Sequence, residues 1–158
     1  MTQEEFIKVL NREKYSYKME GDRIVVTYKG NVYLRSLTSL PPSVTFKNKG
    51  PVHLGEGDVH LDSLTSLPHG VVFRNGGDVN LNSLSSILPD VEFRNEGGVD
   101  LNNIYSLPLG LEFNHGGFVS LESITGSGYE YGFPEFYIEG IHPNRILNAM
   151  IKQGIFER

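Results

Sequence analysis

Short apolar triplets recur along the chain at a fixed interval. Val59-His60-Leu61, Val79-Asn80-Leu81, Val99-Asp100-Leu101 and Val119-Ser120-Leu121 follow one another every 20 residues. Twelve residues after the start of each of the first three comes a second triplet, Val71-Val72-Phe73, Val91-Glu92-Phe93 and Leu111-Glu112-Phe113, and eight residues later the next unit begins. The stretch between triplets repeats as well: Ser63-Leu64-Thr65-Ser66-Leu67-Pro68, then Ser83-Leu84-Ser85-Ser86-Ile87-Leu88-Pro89, then Asn103-Ile104-Tyr105-Ser106-Leu107-Pro108. An earlier copy runs from Val32-Tyr33-Leu34 to Val44-Thr45-Phe46. Strand side chains alternate between faces, so the outer two residues of each triplet turn inward and the middle one outward. A three-residue strand cannot stand alone, but units stacked about 4.8 Å apart let each triplet pair in parallel with its neighbours. The pattern predicts a mostly β protein, a parallel β-solenoid with two short strands per coil that folds as one array.

Two residues beyond the phenylalanine that ends each second triplet stand Asn48, Asn75 and Asn95, with His115 at the fourth position. Parity turns these inward, where stacked side-chain amides bond the turn backbone of adjacent coils. Asn48, Asn75 and Asn95 are therefore read as a structural ladder. The following pairs Gly76-Gly77 and Gly97-Gly98 are expected to supply positive backbone angles at the corner. No helix follows them, which argues against a phosphate cradle.

With the repeat spelled out, the run Leu61-Asp62-Ser63-Leu64-Thr65-Ser66-Leu67-Pro68 followed by Val71-Val72-Phe73-Arg74-Asn75 resembles the twenty-residue leucine-rich repeats of bacterial proteins. It is more closely similar to repeat proteins of phages and their bacterial hosts that carry Asn-x-Gly-x-Val-x-Leu-x-Ser-Leu-x-Ser-Leu-Pro. The resemblance covers residues 24–125. It implies a protein-binding scaffold with a target in the host cell, such as a component of a defence system, and carries over no catalytic residue. The chain departs from ordinary leucine-rich repeats in having two strand triplets per coil, which leaves a narrow two-sheeted coil and a horseshoe both open.

The ends of an array must be closed, because terminal coils otherwise expose core and strand edges. Thr2 is placed to cap a first helix with Glu4 and Glu5 in its first turn and Phe6, Ile7 and Leu10 on its apolar stripe. A hairpin over Glu20-Gly21-Asp22 follows, and Ile24-Val25-Val26 sits eight residues before Val32, as a second triplet should. At the far end, Pro143 opens a helix with Ile146, Leu147, Met150 and Ile151 on one face, and Gly154 stops it. The chain thus reads as one domain: a helix and hairpin cap over 1–29, the solenoid over 30–125, and an aromatic segment with a helical lid over 126–158. One segment breaks the rhythm, since 27 residues rather than 20 separate Val32 from Val59. His53 and Glu56 in that insertion, with His60 beside it, are binding candidates, because interruptions of a repeat often project from its binding face. Tyr129 and Tyr131 are candidates as interaction anchors.

Composition narrows the chemistry. Nineteen acidic against fourteen basic residues give a net charge of −5, which argues against a nucleic-acid or anionic-membrane binder needing a basic footprint. There is no cysteine, hence no thiolate catalysis or thiolate metal site. No apolar run is long enough to span a membrane and no secretory signal is visible, so a cytoplasmic location is expected. The outward positions form rows. Lys47, Arg74, Arg94 and Asn114 make a basic row beside Thr45, Val72, Glu92 and Glu112; Tyr33, His60, Asn80, Asp100 and Ser120 line the other face, flanked by Arg35, Asp62, Asn82, Asn102 and Glu122. No catalytic triad, paired catalytic carboxylates or zinc motif emerges, so no enzyme activity, metal or cofactor is expected. A protein partner is favoured, with a homodimer as a further option. A phosphorylated small molecule gripped by Lys47, Arg74 and Arg94 is the alternative, and a structural, self-associating role is a third.

Overall fold

The computed structural model describes residues 1–50, 57–125 and 143–155. In chain order the elements are α1 (Gln3–Arg12), β1 (Tyr17–Glu20), β2 (Arg23–Val26), β3 (Val32–Tyr33), β4 (Val44–Phe46), β5 (Val59–His60), β6 (Val72–Phe73), β7 (Val79–Asn80), β8 (Glu92–Phe93), β9 (Val99–Asp100), β10 (Val119–Ser120), α2 (Glu122–Thr125) and α3 (Pro143–Lys152). The first triplets stack into sheet I, order β3-β5-β7-β9-β10, parallel throughout. The second triplets form sheet II, order β1-β2-β4-β6-β8, parallel except for the β1–β2 hairpin. Phe113 adds a further bridge to Phe93. The protein is a two-sheeted β-solenoid with a short helix at its N-terminal end and another at its C-terminal end.

The physical cause of the 20-residue unit is visible in one coil. Val59 and Leu61 enter the core from sheet I, and a turn closed by Leu64 N–H donating to the Leu61 carbonyl (3.1 Å) swings Leu64 inward. Leu67 lines the third side, and Val71 and Phe73 enter from sheet II; all six are at most 4% exposed. Leu34 to Leu37, Leu81 to Leu84 and Leu101 to Ile104 close the same turn. Phe46, Phe73, Phe93 and Phe113 form one stack through the core, with ring centroids 5.5, 5.3 and 5.2 Å apart and near-parallel planes. Burying an aromatic ring on both faces makes each a large contributor to the core.

Both ends are closed by side chains aimed at backbone. Thr2 and Glu5 form a reciprocal capping box at the start of α1, whose Phe6 and Leu10 are fully buried over the first coil. Tyr15 reaches the open edge of β3: its hydroxyl accepts from Tyr33 N–H (2.9 Å) and lies 3.4 Å from the Tyr33 carbonyl. At the other end Leu147 and Ile151 of α3 bury against the core. Asn148 then does for Phe113 what a next strand would do, its Oδ1 accepting from Phe113 N–H (2.8 Å) and its Nδ2 donating to the Phe113 carbonyl (2.9 Å). Gly154, at φ +70°, ends the helix with the paired bonds Gly154 N to Ile151 O and Ile155 N to Met150 O.

Three expectations are corrected. The corner pairs Gly76-Gly77 and Gly97-Gly98 do not have positive φ; at Gly77 and Gly97 the need is room between coils, since a Cβ would stand 2.0 Å from Asp58 Oδ1 at Gly77 and 2.2 Å from Asp78 Oδ1 at Gly97. Thr45 and Val72, read as outward, are each only 6% exposed, and Ser120, read as outward on sheet I, only 8%; the Arg23 guanidinium lies along the Thr45 part of sheet II, donating to Thr45 Oγ1 (3.0 Å) and the Gly70 carbonyl (2.9 Å). The hairpin loop is shorter than expected, with Glu20 pairing Arg23 across Gly21 and Asp22. Across the insertion the register is unbroken, because β5 pairs with both β3 and β7.

Candidate functional site

Strand parity sends the middle residue of each first triplet out of sheet I, so Tyr33, His60, Asn80, Asp100 and Ser120 stand in one row along the solenoid axis. At the N-terminal end of the row is a built cluster. The Tyr33 ring, 48% exposed, stacks on His60 with centroids 4.8 Å apart and planes 14° off parallel. Arg35 lies 5.2 Å from the Tyr33 centroid, pairs through Nε with Asp62 Oδ2 (3.2 Å), and donates to His60 Nδ1 (3.3 Å). Asn31 Nδ2 donates to the Tyr33 hydroxyl (3.1 Å), and Tyr15 holds the Tyr33 backbone from behind. Tyr33, His60, Arg35 and Asp62 thus hold one another through ring and charge contacts.

Further along the row the surface turns to amides and acids. Asn82 Oδ1 accepts from Asn102 N–H (3.4 Å), and Asn102 Oδ1 accepts from Ser120 Oγ (2.5 Å) and Glu122 N–H (3.4 Å), a polar ladder in step with the coils. Asp100 is half-buried, and burial first, then repulsion from Asp78, Asp62 and Glu122, raises its pKa above the ordinary carboxylate value. An open depression of about 430 Å³ lies over this end, lined by Asp78, Gly97, Gly98, Asp100, Gly117, Phe118 and Ser120. Among the described residues this face carries the carboxylates of Asp58, Asp62, Asp78, Asp100 and Glu122 against the Arg35 guanidinium.

A second corner ladder, absent from the sequence reading, supports this face. Asn31 Oδ1 accepts from Gly57 and Asp58 N–H (2.6 and 3.0 Å), Asp58 Oδ1 from Asp78 N–H (2.9 Å), and Asp78 Oδ1 from Gly98 N–H (2.6 Å). Its signal is an aspartate or asparagine directly before each Val of a first triplet, ending where Gly98 takes that position.

The predicted site residues fall in three places. Lys47, Arg74 and Arg94 sit on sheet II in adjacent coils, as their spacing required, but Glu92 lies among them: Arg94 Nε is 2.9 Å and Arg74 3.9 Å from its Oε2. His60 is on sheet I, so the fold separates it from that basic row. Asn48, Asn75 and Asn95 are buried at the inner corner, each Nδ2 donating to three carbonyls at 2.8 to 3.2 Å, and His115 Nδ1 lies 3.0 Å from the Gly97 carbonyl. His53, Glu56, Tyr129 and Tyr131 lie outside the described residues. Tyr33 and Arg35 were on the predicted rows without being singled out; the pattern Tyr33-x-Arg35 against His60-x-Asp62 in the next coil is what marks them. Among the described residues no group of three or more His, Asp or Glu is placed to hold a metal ion, and no helix is long and apolar enough to cross a membrane. No family model, curated protein or solved structure matches the chain.

Proposed function

We propose that the protein is a non-enzymatic recognition scaffold whose sheet I face binds, and thereby occupies or inhibits, another protein. The observation that carries this reading is the Tyr33–His60–Arg35–Asp62 cluster: an exposed aromatic ring held from several sides at the end of a rigid, flat row. Tyrosine and arginine dominate binding hot spots, and side chains ordered in advance lose little entropy on association. The carboxylates further along the row fit a partner with a basic surface, since complementary charge steers association and fixes register. The resemblance to phage-borne repeat proteins directs the search to proteins of a bacterial host.

The test is to express the tagged protein in bacteria, recover it with whatever it holds, and identify bound proteins and heat-released small molecules by mass spectrometry. A stoichiometric protein, lost on Y33A/R35E by a factor of about 30 or more in affinity and retained on R74E/R94E, supports the reading. Retention on both variants refutes it. A phosphorylated small molecule lost on K47E/R74E/R94E supports the alternative instead; against it stands Glu92, which a phosphate would have to displace from Arg94.

A further inference from the structure

Three of the four sheet edges in this fold meet different fates. Tyr15 closes β3 and Asn148 closes the Phe113 edge, each by bonding both backbone groups of the edge residue or lying against them. β1 has no such closure: among the described residues its one strand neighbour is β2. We infer that β1 is a self-association edge, on which a second copy of this chain adds its own β1 in antiparallel fashion about a two-fold axis at Met19.

The register follows from parity and charge. Thr27 N–H donates to the Ser16 carbonyl (2.8 Å) and Glu20 pairs Arg23 across the hairpin, so Ser16, Lys18 and Glu20 turn their backbone groups toward β2. Tyr17 and Met19 therefore turn theirs to the open edge. A two-fold axis through Met19 lets the two Met19 residues exchange both N–H···O bonds. It sets Lys18 opposite Glu20 of the second copy, twice, as non-hydrogen-bonded pairs in which Cα atoms approach to about 4.5 Å and opposite charges stabilise. An axis at Lys18 or at Glu20 would set like charges face to face, and one at Tyr17 would oppose Lys18 to Ser16. A single lysine guards an edge strand against pairing; a lysine and a glutamate two residues apart are complementary to their own antiparallel copy. In the single chain Lys18 and Glu20 already pair with each other on the surface, at 51% and 53% side-chain exposure. Met19, 45% exposed on the core side of the sheet opposite buried Ile24, would be covered by its symmetry mate. The contact is isologous and closes at two copies, and a four-residue edge makes it a weak dimer, formed at high concentration.

Sedimentation of the full chain over a wide concentration series tests this. The expected result is a mass rising from 17.7 kDa toward twice that value. K18E and E20K should each stay at the single-chain mass where the parent dimerises, and an equimolar mixture of the two should recover the dimer, because each then supplies the charge the other lacks. Amide exchange of the unmodified protein gives a readout independent of any variant: Met19 N–H should gain protection as concentration rises. A parent that keeps its single-chain mass, a dimer indifferent to both reversals, or Met19 exchange independent of concentration would each overturn the inference.

Discussion

Replacing Asn75 separates the ladder's donor role from its mere size. The Asn75 side chain is fully buried, and its amide group donates two hydrogens shared over the carbonyls of Gly57 (2.9 Å), Gly77 (2.9 Å) and Asp78 (3.2 Å). Its Oδ1 has no hydrogen-bond partner, so everything the residue contributes by hydrogen bonding comes from Nδ2. Asn75→Ala removes roughly two net bonds of about 1 kcal/mol each and leaves buried carbonyls unpaired, for an expected loss of about 2–4 kcal/mol. Asn75→Asp has nearly the same shape but turns a carboxylate toward three carbonyls, where burying an unpaired ion costs several kcal/mol more. N75D should therefore be less stable than N75A at neutral pH. The pH dependence carries a sign of its own: a carboxyl with no donors and no cation is driven to protonate, so its folded pKa rises above the unfolded value near 3.9. The variant is then most stable below that value and loses stability as pH rises through the raised one. Urea unfolding followed by far-ultraviolet circular dichroism at several pH values measures all of this. An N75D protein as stable as N75A at pH 7, or one that weakens on acidification relative to N75A, would refute the donor-only assignment.

Phe93→Ala, in the middle of the phenylalanine stack and fully buried, should cost about 3–5 kcal/mol, seen as a lower urea midpoint at unchanged slope. Asp100→Asn should stabilise at neutral pH, because a carboxyl whose pKa is raised on folding destabilises the native state as pH rises above the unfolded value; the advantage should vanish by pH 3, and thermal melts at both pH values check it. Asn148→Ala should free the Phe113 edge, speeding exchange of the Phe113 amide and promoting aggregation, with a stability loss of about 1–3 kcal/mol. Deleting residues 50–56 restores the 20-residue spacing and spares Gly57, whose carbonyl accepts from both Asn48 and Asn75. The shortened protein should keep its circular dichroism spectrum, and loss of that spectrum would make the segment part of the fold's support.

What could be read in advance was whatever side-chain parity decides. Val59, Leu61, Leu64, Leu67, Val71 and Phe73 recur because each has one buried place in a coil, and a period of two in the strands fixes which side that is. Asn75 was readable for the same reason. The Asp58 and Asp78 ladder was not, because an aspartate before a strand has many uses; only once the coils are in register does its Oδ1 meet the next coil's N–H. Gly77 and Gly97 provide room and not a positive φ, a difference hidden in the sequence because a glycine required for φ and one required for room look alike there. Asn148 and Tyr15 stayed hidden because a side chain that imitates a missing strand is set by tertiary approach, from 35 and 18 residues away. The basic row stands in the register its spacing predicts, with Glu92 of the neighbouring row between Arg74 and Arg94, while the distances that tie Glu92 more closely to Arg94 than to Arg74 are set by side-chain approach and not by spacing.

Inner and outer positions of the same coils obey different rules, and the contrast bears on the proposed role. Inside, Val, Leu, Phe and Asn repeat because the stack, the turns and the amide ladder admit little else. On the sheet I face the row runs Tyr33, His60, Asn80, Asp100, Ser120, a different residue in every coil. Nothing in strand pairing requires those identities, since backbone bonds and the two corner ladders already hold the coils in register. The half-buried Asp100, beside Asp78, Asp62 and Glu122, is even unfavourable to folding at neutral pH. A row that varies where the fold allows it, and that keeps a carboxylate the fold would be more stable without, is a surface whose composition must be accounted for by something it meets. That is why D100N and Y33A/R35E belong in the same experiment: the first should raise stability while weakening a basic partner's grip, and a variant that gains stability and loses nothing in binding would place recognition elsewhere on the molecule.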